Sequence, residues 1–129
     1  MKVAYIAGPY KATSEWAVWM NIQRASEVAL KYWKLGCAVI CPHRNTAFFG
    51  GACEDRIWLD GDLEIMRRCD VVVMIPEWER SSGARREHEV ALALGKEVVY
   101  EGCPEEPSDL TRIHRERALV TSVAAREAC

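Results

Sequence analysis

Asp70-Val71-Val72-Val73-Met74-Ile75, closed by Pro76, decides the fold of this chain. Five successive apolar residues without alternation read as a strand buried on both faces, and such strands belong to parallel sheets covered by helices. Working outward, Val3–Ala7 has the same character and ends at Gly8-Pro9, Cys37–Cys41 stops at Pro42, and Val98–Tyr100 gives a fourth strand. Helical patterns lie between them. Over about 13–35, Trp16, Trp19, Ile22, Ser26, Ala29 and Trp33 recur at steps of three and four, and Gly36 is the expected stop. A second helix is predicted over about 55–69. A third follows over 83–94, with Ser81 or Ser82 as N-cap and Gly95 as stop. A polar-rich helix is predicted over about 108–128, capped by Ser108 or Asp109. Residues 42–54 read as a long loop containing Gly50-Gly51, a length that is often functional. This alternation implies a parallel α/β sheet with right-handed crossovers. The expected strand order is 2-1-3-4, with no fifth strand visible.

The chain has 129 residues, half of them hydrophobic, with 17 Lys+Arg against 19 Asp+Glu and a net charge of −2. That fits one domain over 1–129, with a core over 1–102 and a terminal helix over about 108–128. A pI near 5.9 without a basic block argues against nucleic acid or an anionic membrane as the partner. No apolar run approaches the ~20 residues that span a bilayer. The apolar stretch before Gly8-Pro9 is too short for a signal peptide, so a cytoplasmic location is expected. The six cysteines, at 37, 41, 53, 69, 103 and 129, form no Cys-x-x-Cys pair. Several lie in apolar runs, as free thiols do in a reducing compartment. His43, His88 and His114 are not at ligand spacing with them, so no metal or other cofactor is expected.

In open parallel sheets ligands bind beyond the carboxyl ends of the strands, at the switch point of strand order. Here that point lies between Gly8-Pro9-Tyr10 and the segment Pro76–Gly83. The helix that starts there turns its free N–H groups towards the crevice, which favours an anion. Ser81-Ser82-Gly83 supplies two hydroxyls and a close backbone approach, although Ser81 also reads as a plain cap. Two carboxylates stand on apolar helix faces. Glu87 shares its face with Ala84, Ala91 and Leu94, and Asp62 shares one with Trp58, Ile65 and Cys69. Two inward acids at one crevice suit acid–base or nucleophilic work, as in glycosyl transfer. The alternative is a structural ion pair with Arg67, Arg68, Arg85 or Arg86. Tyr5, near the end of the first strand, can reach a carboxylate or simply pack. His43, after the second strand, can contact a base or phosphate or lie on a surface loop.

Val3–Tyr10 (V-A-Y-I-A-G-P-Y), Asp62-Leu63-Glu64-Ile65-Met66 followed by Cys69–Val73, and Ser81-x-Gly83-x-x-x-Glu87 together resemble the nucleoside 2-deoxyribosyltransferase superfamily. With Pro42-His43-Arg44-Asn45-Thr46 and Gly95–Tyr100 the chain looks like its short bacterial and phage branch. The resemblance implies a flavodoxin-like, Rossmann-like three-layer α/β sandwich with a four- or five-stranded parallel sheet. It implies cleavage or exchange of the N-glycosidic bond of a (deoxy)nucleoside or its 5′-monophosphate. By position, Glu87 would be the nucleophile, Asp62 the carboxylate that handles the proton at the base, and Tyr5 the residue that orients Glu87. Gly8 and Gly83 would give sugar and phosphate room, with Pro9, Tyr10, His43, Ser81 and Ser82 around them. Nucleoside-type members carry an acid six positions before the nucleophile, whereas the 5′-monophosphate branch carries serine, as Ser81 is here. Arg85 departs from the family's Gly-x-Gly-x-Glu, where it would narrow the crevice or bind phosphate itself.

The expected partner is therefore a small nucleoside or nucleotide. A non-catalytic nucleotide sensor and a glycohydrolase of NAD or ADP-ribose type remain the alternatives. The three tryptophans of the first helix also suggest a homodimer.

Overall fold

The computed structural model describes residues 1–102. Its elements are β1 (Val3–Ala7), α1 (Glu15–Lys34), β2 (Ala38–Ile40), α2 (Pro42–Asn45), α3 (Asp55–Arg67), β3 (Val71–Met74), a 3-10 turn (Trp78–Arg80), α4 (Ser82–Ala93) and β4 (Glu97–Tyr100). The sheet has the order β2-β1-β3-β4, and every pairing is parallel. The predicted order and the four strands agree with it. The helix predicted over 108–128 lies outside the described residues. Among those described, no helix is long and apolar enough to cross a membrane.

The period-two geometry of the strands builds two cores. Ala4, Ile6, Val71, Val73 and Val99 face α1 through Ala25, Ala29 and Tyr32. Tyr5, Ala7, Val72 and Met74 face the opposite layer, where they meet Met66 and the Ala84 and Ala91 positions of α4. The result is a three-layer sandwich in which β1 and β3 are covered on both sides. The glycine stops act as read: Gly36 and Gly95 adopt φ of 95° and 68°, a left-handed conformation that favours glycine after a helix. Lys96 then donates to the carbonyls of Arg67 and Cys69 at 2.7 and 2.8 Å, which closes the end of α3.

Three expectations need correction. The buried stripe of α1 is Ile22, Ala25, Ala29 and Tyr32: Ile22 and Ala29 are as read, whereas Ala25 and Tyr32 take the places expected for Ser26 and Trp33. Alanines let the helix backbone approach the sheet closely, and an indole would hold it off. Trp16, Trp19 and Trp33 are accordingly exposed, and Ser26 bonds back to the Ile22 carbonyl at 2.7 Å. The loop read over 42–54 begins with a helical turn, α2, which Pro42 starts at a position where no N–H is required. Cys37 is disulfide-bonded, whereas Cys41, Cys53 and Cys69 are free.

Gly8 shows how tightly β1 ends. A Cβ at this position would overlap Cγ1 and Cδ1 of Ile75, itself buried at the end of β3. Gly8→Ala is therefore expected to destabilise the protein by about 1–3 kcal/mol, as overpacking of a full core does. Chemical denaturation checks it, and an unchanged midpoint would contradict the close approach.

Candidate active site

The carboxyl ends of β1 and β3 open into a cavity of about 380 Å³. Its lining comes from four stretches of chain. Gly8, Tyr10 and Lys11 follow β1; Thr46 and Gly50 come from the segment after α2; Asp55, Trp58 and Leu59 form the first turns of α3; and Arg80–Ala84 with Glu87 come from the 3-10 turn and α4. Ser81 caps α4, its hydroxyl accepting from Ala84 N at 3.2 Å. It serves as cap and cavity lining at once. The 3-10 turn is held from behind: Trp78 packs on His88 with ring centroids 4.2 Å apart, and His88 Nε2 lies 2.5 Å from Tyr100 Oη.

Glu87 projects from the second turn of α4 between the buried Ala84 and Ala91. Its carboxyl is pushed up to about 8, chiefly because burial disfavours the anion. The Tyr5 hydroxyl counteracts this shift, and the negative charge of Asp62 adds to it. Asp62 is itself raised to about 6 by desolvation. Tyr5 is fully buried beneath them, its phenol held well above its usual range by burial and then by the two carboxylates. Tyr5 Oη has no hydrogen bond of full geometry among the described residues, yet the phenol favours the Glu87 anion, and catalytic contacts commonly tighten only once substrate binds. Three of the four arginines that offered an ion-pair reading are engaged elsewhere. Arg67 and Arg68 pair with Glu64 at 4.0 and 3.3 Å, and Arg85 donates to the Glu79 carbonyl at 2.7 Å. Among the described residues neither Glu87 nor Asp62 forms an ion pair.

Of the residues singled out in the sequence, Gly8, Tyr10, Ser81, Ser82, Gly83 and Glu87 line the cavity, and Tyr5 and Asp62 stand next to Glu87. Pro9, His43 and Arg85 do not line it. His43 is buried, and its Nε2–H donates to the Pro9 carbonyl at 2.8 Å; burial lowers its pKa and keeps it neutral. It is a brace beneath the loop after β1, since a neutral buried imidazole has no charge to offer a phosphate. Arg85 lies exposed, its guanidinium engaged by the preceding turn. The sequence reading missed Lys11, Arg80 and Trp58. Lys11 pairs with Asp55 across the cavity lining, and Arg80 pairs with Glu77 at 3.5 Å. Trp58 stands one helical turn before Asp62, the spacing that could have drawn notice to it.

Residues 1–100 match the family model described as a domain of unknown function, DUF4406. No curated protein matches the chain. Among solved structures, the chain is similar to a 2-deoxyribosyltransferase from the psychrotolerant bacterium Bacillus psychrosaccharolyticus. The TM-score is 0.56 at 20% identity, over 76% of this chain and 70% of that one. At that identity the likeness is one of fold, and it agrees with the flavodoxin-like sandwich expected.

Proposed function

For this chain, which belongs to the DUF4406 family, we propose cleavage or transfer of the N-glycosidic bond of a (deoxy)nucleoside 5′-monophosphate through Glu87. One observation carries the reading: two carboxyls and a buried phenol converge beside an open cavity, with no cation paired to them among the described residues. A site that only held an anionic nucleotide would gain nothing from that arrangement. The resemblance of the motifs and the fold of the solved transferase support it.

Between pH 6 and 8 the pair holds one proton, mainly on Glu87. The reacting state needs that proton on Asp62 and the charge on Glu87. From the two values of about 6 and 8, the transfer costs at most ~3 kcal/mol, and the Tyr5 hydroxyl favours the Glu87 anion. The Glu87 carboxylate then attacks C1′. The C1′–N bond breaks with its electron pair going to the base nitrogen, and Asp62 supplies the proton to the departing base. In the second step water, or a second base, attacks C1′; the glutamate leaves as carboxylate and the proton released returns to Asp62. Splitting one displacement into two retains configuration at C1′. Ser81, Ser82, Lys11 and Arg80 make the other side of the cavity suited to a phosphate.

Incubation with nucleosides, their 5′-monophosphates and NAD, followed by chromatography for free base, tests this. The expected result is release from monophosphates, at least tenfold faster than from the matching nucleosides, in keeping with one charge-assisted contact. Absence of free base from every compound would leave a nucleotide-binding module instead.

A further inference from the structure

The lining of the cavity is chemically divided. Hydroxyls and cations come from the loop after β1, Thr46 and residues 80–82, and Asp55 at the start of α3 pairs with Lys11; further along α3 the lining becomes the apolar pair Trp58 and Leu59. A nucleotide is divided in the same way, with a polar sugar phosphate at one end and a flat heteroaromatic base at the other. Trp58 also stands four residues before Asp62, so the two share one side of α3 on adjacent turns. The acid assigned to the proton of the base and the indole thus belong to the same side of the site.

Trp58 carries an anomaly. Its Nε1–H is shut off from solvent and has no hydrogen-bond partner among the described residues. An unpaired buried donor costs free energy, is rare in folded proteins and calls for a reason. The indole is held in place by Phe49, whose ring lies 5.7 Å away at 56°. Phe49 itself is exposed and follows Phe48, which adopts an uncommon φ of 62° for a bulky side chain. For a base to reach the donor the packing around the indole must shift, and Phe49 is the exposed ring packed against it. An indole N–H only donates, so what it reads is an acceptor: a ring nitrogen or an oxo group on the edge of a base.

We propose that Trp58 is the residue that selects the leaving base, its ring forming the wall along the base and its Nε1–H donating to one acceptor on the base's edge. This rests on the N-glycosidic reading of the same cavity. The bond would strengthen as the base departs with additional electron density, so its loss should lower kcat as well as raise KM.

The test compares wild type with Trp58→Phe, which keeps a ring and removes the donor. Both are assayed on purine and pyrimidine 5′-monophosphates and on analogues that each lack one acceptor (7-deaza, 3-deaza and 6-deoxo compounds). Wild type is expected to lose about 10- to 100-fold in kcat/KM on one analogue, the range for a lost buried hydrogen bond. In Trp58→Phe that penalty should nearly vanish, because the parent compound falls to the level of the analogue. Equal penalties in the two proteins would overturn the proposal. If the variant does not fold, wild type labelled with 15N at indole serves: one of the five tryptophan N–H resonances should move downfield on titration with the free base, and none moving would overturn it. A wild type that releases no base from any nucleotide or nucleoside sinks the reaction itself, which is a different outcome from unchanged selectivity in an active pair.

Discussion

Glu87→Gln is expected to lower base release by on the order of 10⁴-fold or more, the scale on which removal of a covalent nucleophile registers. Glutamine has the shape of glutamate but no anion to attack C1′, and Tyr5 and Asp62 remain to bind and protonate a substrate that is never displaced. The effect should fall almost wholly on kcat, since the cavity lining from Ser81, Ser82 and Lys11 is untouched. Single-turnover assays with chromatography of the free base measure it. A folded Glu87→Gln protein that turns over at the wild-type rate would end the mechanism.

The same substitution is expected to stabilise the protein, and increasingly so with pH. Burial pushes the Glu87 carboxyl up to about 8 in the folded state, against its ordinary 4.5. Between those values the folded state holds a proton that the unfolded state has released, so wild-type stability falls as pH rises through the window. Below 4.5 the penalty is absent, and above 8 it is complete. The two values correspond to an upper bound of roughly 5 kcal/mol. Asp62 adds a shallower decline of the same sign between 3.8 and about 6. His43, whose folded pKa is lowered, acts oppositely as pH falls below its usual 6.5. Both groups are present in each protein, so the difference in melting temperature between Glu87→Gln and wild type isolates Glu87. That difference should be small at pH 4 and should grow to many degrees by pH 9. Parallel curves across the range would show that Glu87 ionises without penalty.

These two expectations rest on residues that the sequence could single out, and the reason is periodicity. A carboxylate on an apolar helix stripe is visible because the stripe has a fixed phase, and Ala84 and Ala91 set it for Glu87. The parallel sheet was visible because strands covered on both faces have no polar alternation. Where apolar residues outnumber the places available, phase becomes ambiguous: the tryptophans of α1 drew the stripe through Ser26 and Trp33, one step from the Ala25 and Tyr32 that meet the sheet. The residues brought in by loops were not legible. Lys11 and Asp55 are 44 positions apart and meet only through the segment after α2. No spacing rule carries that contact. His43 fails for a related reason, since its position after β2 fits a ligand contact as well as a brace, and only the Pro9 carbonyl decides between them.

The loop after β1 has one more consequence. Pro9 is tied to α2 through His43, the Tyr10 carbonyl accepts from Asn21 of α1 at 3.0 Å, and the Tyr10 hydroxyl accepts from Phe48 N at 2.9 Å. Three separate parts of the chain thus fix two residues that no sheet bond holds. The conformational entropy of this loop is spent during folding rather than at encounter. A ligand entering beside Gly8 and Tyr10 meets a preorganised wall, and little of its binding free energy goes into ordering that loop.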